Sequence, residues 1–202
     1  MSRIPVNYQW FRQGILFLSL ILGCTGGLEQ SQDSYDYLPS LKSGDPEVRK
    51  KALKDLAAFF VDPPDVPDFE PDRDKWDALV LRLVELSHDP DPEIREWTIR
   101  CLVSTTHAKA PQAISSLLKD KNDTVRATAA GAFLLFIVDD PKIIRELEGL
   151  INDPNEDVRI NAAMSLGTNG TTSSLIVMQK RLEEDKNPQV REILEEAIER
   201  LQ

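Results

Sequence analysis

The chain is short of the residues that most site chemistry requires. Its 202 residues include two cysteines and two histidines. That cysteine count excludes a disulfide-built scaffold. The histidines, His88 and His107, stand 19 residues apart and are followed by Asp89 and Ala108, so no ligand spacing links them. Glycine-rich phosphate loops, cysteine clusters and nucleophile motifs are missing as well. Positive charge is scarce: 24 Lys and Arg face 34 Asp and Glu, a net charge of −10. A chain of that balance repels phosphates, which argues against a nucleic-acid partner. The apolar run at 14–22 covers nine residues. A helix needs about 20 to cross a bilayer. Catalytic residues, metals and cofactors are therefore not expected.

What the chain does have is repetition. Asp or Asn, two further residues, a β-branched aliphatic and Arg recur at Asp45–Arg49, Asp91–Arg95, Asn122–Arg126, Asn155–Arg159 and Asn187–Arg191. The last four aliphatics are 31, 33 and 32 residues apart, and the first gap is 46. A fixed period in this range means stacked supersecondary units. Each phrase reads as a helix start. Asp or Asn caps the first free N–H groups, and Pro46, Pro92 and Pro188 take the first helical position, where a missing N–H costs nothing. Small or apolar residues follow four and eight places after the aliphatic: Ala52/Leu56, Thr98/Leu102, Ala129/Phe133, Ala162/Leu166 and Leu194/Ile198. That spacing is one buried helical stripe. A preceding helix is expected at 76–87, 111–119, 141–151 and 173–183. Asp89, Asp120, Asp153 and Asp185 each stand two residues before a cap, as a short Asx turn would place them.

These phrases resemble HEAT-like repeats of the short subtype first associated with phycobilin lyases, over roughly 38–201. The resemblance implies an all-α, right-handed α-solenoid of about five helical hairpins. It implies binding more readily than catalysis. A lyase relative would need a tetrapyrrole site, for which the matching residues offer nothing specific, and the repeated His-Glu pairs of di-iron HEAT-like enzymes are missing.

The N-terminus has a different character. Arg3 and Arg12 precede the apolar run, and Ile21-Leu22-Gly23-Cys24 follows it. This resembles a bacterial lipoprotein signal peptide at 1–23 with Cys24 as the lipidated residue, although Leu22 stands where Ala or Ser is usual. Cleavage removes two Arg and no acid, taking the net charge from −10 to −12. Thr25, rather than Asp, follows Cys24. By resemblance this implies the outer membrane, with the protein facing the periplasm. Residues 24–34 then form the lipidated end and a flexible tether, and 35–202 the repeat domain. Cys101, the other cysteine, reads as a small buried hydrophobe.

Two regions could carry function. An insertion at 61–73 holds four prolines and five acids, which suits an extended excursion; it reads as a solvated insertion, a partner-contacting loop or, at least weight, a metal loop. The other region is the face of each second helix turned from its core stripe. It runs from basic (Lys50, Lys51, Lys54) through small and apolar to acidic (Glu192, Glu196). The candidate partner-binding residues there are Trp97, as anchor, with Arg100, Thr128, Ile160, Asn161 and Met164. Burial by curvature accounts equally well for the small and apolar middle. The repeated Arg reads as a ladder tying repeats together rather than as an anion site. Together these features point to a single-copy, lipid-anchored module that binds a protein or peptide at the bacterial envelope, with a ligand-free structural spacer as the rival.

Overall fold

A computed structural model of the chain describes residues 36–61 and 73–202, so the expectations for 1–35 and for the interior of the insertion (62–72) lie outside the described residues. Ten α-helices are described, with one 3-10 turn and no strand among the described residues: α1 (Leu38–Leu41), α2 (Pro46–Val61), α3 (Arg73–Leu86), α4 (Pro92–Thr105), α5 (Ala110–Ser116, continued by the 3-10 turn Leu117–Lys119), α6 (Asp123–Ala132), α7 (Pro141–Leu150), α8 (Glu156–Asn169), α9 (Thr172–Glu184) and α10 (Pro188–Leu201). Val61 and Arg73, taken from sequence as insertion, are the last residue of α2 and the first of α3.

The even-numbered helices begin at the five repeated phrases. Asp45 accepts from the Glu47 N–H at 2.9 Å, and Asp91, Asn122, Asn155 and Asn187 cap α4, α6, α8 and α10 in the same way. Ahead of the caps, the side chains of Asp89, Asp120, Asp153 and Asp185 accept from the backbone N–H two residues on, at 2.9–3.0 Å. All ten stripe residues are buried. Phe133 is the one that leaves its helix, as the C-cap of α6. Ile94, Val125, Val158 and Val190 are buried too, whereas Val48 of the first repeat is 40% exposed.

Each odd-numbered helix packs on the helix that follows it, and the even-numbered helices pack side by side as a continuous inner layer. One core runs through all the repeats, from Leu41 to Ile198. Cys101 is fully buried within it, its Sγ 3.4 Å from the Leu53 carbonyl oxygen, and burial pushes its thiol pKa up.

The arginines join the repeats. Arg95 donates twice, at 2.7 Å, to the Asp120 carboxylate of the next turn, and through Nη1 to its own turn carbonyls at Asp89 and Pro90. Arg126 repeats this with Asp153, and Arg159 with Asp185. Arg49 reaches Asp89 at 3.0–3.1 Å. The fifth, Arg191, meets no turn Asp among the described residues and donates to the Leu182 carbonyl. Burial alone would raise Asp185, but the Asn187 N–H and the Arg181 and Arg159 guanidiniums outweigh it and hold that carboxyl at about 2. At Asp120 burial is likewise outweighed, chiefly by Arg95, and the pKa is lowered.

Candidate partner-binding groove

Because the inner helices all start at the same turn edge, their N-termini share one side of the inner layer and their C-termini the other. Between the two sides a groove of about 920 Å³ crosses α4, α6 and α8. Its depth follows from residue size. The middle helix contributes Ala127, Thr128 and Gly131 to the floor, between Glu96 and Arg100 on α4 and Asn161 and Met164 on α8. Gly131 leaves room for Asn161 where it stands: a Cβ there would lie 2.7 Å from the Asn161 Oδ1 and push that side chain aside. Asn161 lies across that gap with its amide donating to the Asp157 carbonyl at 2.9 Å.

Of the residues expected from sequence, Arg100, Thr128, Asn161 and Met164 line the groove, and Trp97 and Ile160 do not. Ile160 is half-buried and packs against the core. Trp97 is a platform beneath two cations, with Lys54 Nζ 5.7 Å and the Arg100 guanidinium carbon 5.1 Å from its ring centre. It therefore shapes the groove indirectly, by orienting Arg100, whose Nη2 also lies 2.6 Å from Glu96 Oε1. The basic end of the expected gradient is equally engaged. Lys50 lies 2.8 Å from Asp91, and Lys54 2.7 Å from Glu93, so both tie the first repeat to the second. The hydrogen bond from Lys50 holds the Asp91 carboxyl below its ordinary value.

Sequence reasoning missed the apolar side of the groove, formed by Val103, Leu134 and Leu135. A signal was present. Phe133–Val138 is an unbroken apolar run of six residues after the stripe should have ended, and it forms the connection to α7 rather than more helix. Among the described residues no group of three or more His, Cys, Asp and Glu is placed to hold a metal, and no helix is long and apolar enough to cross a membrane.

The architecture agrees with the comparisons. The family model described as HEAT repeats matches residues 36–134 and 132–199. The chain belongs to the HEAT-repeat family. This HEAT-repeat chain is 27% identical over 169 residues to the "Uncharacterized phycocyanin operon protein Z" of Pseudanabaena tenuis, covering 80% of this chain and 75% of that one. Among solved structures, the CpcE–CpcF complex of phycocyanin lyase from Nostoc sp. matches with a TM-score of 0.66 at 18% identity, over 88% of this chain and 67% of that one. A designed armadillo repeat protein in complex with the peptide (KR)4 matches with a TM-score of 0.59 at 18% identity, over 98% and 95%. These structural likenesses share the fold, a stack of helical repeats with an inner helix layer.

Proposed function

We propose that this HEAT-repeat chain is a docking scaffold that holds a segment of a protein partner in the groove across α4, α6 and α8. The observation that carries this reading is the break in uniformity at the third repeat. Ala127, Thr128 and Gly131 open a trough exactly where the flanking helices carry longer side chains. Repeat proteins of the same architecture support it, since one similar structure is of armadillo repeats designed for modular peptide recognition and another holds a bound peptide. The scaffold is anchored at the bacterial envelope by lipid on Cys24, at the periplasmic face of the outer membrane, and acts as one copy. The anchor reading rests on the sequence around Cys24 alone. A tether of that kind raises the local concentration of the groove beside membrane partners.

The test is crosslinking of the lipidated protein in its own membranes, with wild type compared against Thr128→Trp, which fills the trough. A crosslink lost in the variant supports docking. A crosslinking pattern the substitution leaves unchanged favours a spacer. Cys24→Ala is expected to abolish lipid labelling and release the protein, and retained labelling contradicts the anchor. The similarity to a phycocyanin operon protein favours a second reading, an accessory part in attaching a linear tetrapyrrole. Titration with such a pigment separates the two, because only the accessory role predicts a groove-dependent shift in its absorbance.

A further inference from the structure

Resting on the groove reading above, we infer that the occupant is a cationic amphipathic segment, its charged side against the Asp123 and Asp157 carboxylates and its apolar side against the α6–α7 connection. The two sides of the groove differ in kind. On the N-terminal side stand Asp123 and Asp157. Asp123 accepts the Thr124 N–H at 2.8 Å and the Asn155 amide at 3.0 Å; it feels the charge of Arg126 on its own helix, but among the described residues no cation forms an ion pair with it. Asp157 is exposed. The groove's own cations are spoken for, Arg100 by Glu96 at 2.6 Å and Arg200 by Glu196 at 3.6 Å. An incoming cation therefore meets two carboxylates that hold no ion pair among the described residues, and the overall charge of −10 draws it from a distance.

The other side is apolar and built. Phe133 is buried, and Phe136 packs on it with ring centres 6.2 Å apart; from Leu134 to Val138 exposure then alternates. Leu135 and Ile137 are thereby turned outward, 51% and 93% exposed. Single exposed hydrophobics need no explanation. This pair is different because one side chain fixes the backbone that displays it. The Asn169 amide donates to the Phe133 carbonyl at 2.7 Å, and its Oδ1 accepts from the Val138 N–H at 3.0 Å. Asn169 is a positioning residue that fixes the segment displaying Leu135 in the groove beside Leu134 and Val103, with Ile137 exposed two residues further on. Fixing the display in advance lowers the ordering cost that a loose apolar loop would impose on binding.

The test uses the purified protein and two short model peptides, an amphipathic Leu/Lys helix and its Leu/Glu counterpart. The Leu/Lys peptide is expected to bind at least tenfold more tightly than the Leu/Glu peptide and to weaken as salt rises. The double variant Asp123→Asn/Asp157→Asn should lose most of that preference, and Leu135→Ser/Ile137→Ser should weaken binding at least fivefold. Asn169→Ala should weaken it too, with circular dichroism confirming retained helix. Equal or better binding of the Leu/Glu peptide overturns the inference, as does indifference to the double Asp variant. A doubled solution mass that Ile137→Ser returns to a single copy also overturns it, because a second copy then covers the patch. If neither peptide binds while the envelope crosslink still depends on Thr128, the chemistry assigned to the occupant is wrong and the docking scaffold stands.

Discussion

At the turn edge the second, third and fourth repeats are close to interchangeable. Arg95, Arg126 and Arg159 each bind two carbonyls of their own turn and both carboxylate oxygens of the next. Further round the same three helices the residues have nothing in common: Glu96, Trp97 and Arg100, then Ala127, Thr128 and Gly131, then Ile160, Asn161 and Met164. The difference separates two kinds of demand on one helix. Stacking sets the same geometric requirement at every interface, so its residues recur. The groove has no counterpart from repeat to repeat, so its residues are free to differ, and specificity resides where they do.

The largest predicted effect is on the turn edge. Arg95→Ala strips the Asp120 carboxylate of its guanidinium, and both side chains are nearly buried, at 6% and 8% exposure. Removing one member of such a pair costs about 3–5 kcal/mol, measurable by urea denaturation, with hydrogen exchange rising first at the α4–α6 interface. A small loss would mean that the ladder is decorative. Two glycines sharpen the contrast next. A Cβ at Gly167 meets the Ala197 Cα and Cβ at 3.0 Å, so two packed helices would have to part by a few tenths of an ångström, and Gly167→Ala should cost about 1–3 kcal/mol. At Gly131 the obstacle is the end of the mobile Asn161 side chain, and alanine adds helix propensity, so Gly131→Ala should change stability by less than about 1 kcal/mol. It should instead alter binding.

Acid should weaken the turn edge through Asp185. Asp185 has its folded pKa depressed from 3.8 to about 2. Its contribution is fully present above the unfolded value and is lost as pH falls from there through about 2. Over that window it is worth about 2 kcal/mol, and Asp185→Asn should flatten the acid limb of the stability profile. A limb unchanged in the variant would assign acid sensitivity elsewhere. Among the arginines of the ladder the smallest effect belongs to Arg191→Ala. Paired with the Leu182 carbonyl and with no turn Asp among the described residues, this rung should contribute less than about 1 kcal/mol, and a loss matching that of Arg95→Ala would contradict the reading of the ladder as a link between repeats.

Much of the turn edge was legible in the sequence because its causes are local. A cap, a proline and an Asx turn act within a few residues, and the ladder repeats one of them at fixed spacing. The groove was half legible. Arg100, Thr128, Asn161 and Met164 follow from helical spacing alone. Trp97 does not, since its neighbour Lys54 comes from the preceding repeat, 43 residues earlier. Leu135 and Ile137 were missed because they sit beyond the end of α6, held by Asn169 from the following repeat. Helical periodicity says nothing about a connection fixed by a side chain more than thirty residues away.

The most direct test of the division between constant edge and variable groove is the affinity of Thr128→Trp protein for the Leu/Lys peptide, measured beside its melting temperature. Filling the trough is predicted to cut affinity at least tenfold while the melting temperature moves by no more than a few degrees. Undiminished binding with the trough filled would contradict the account.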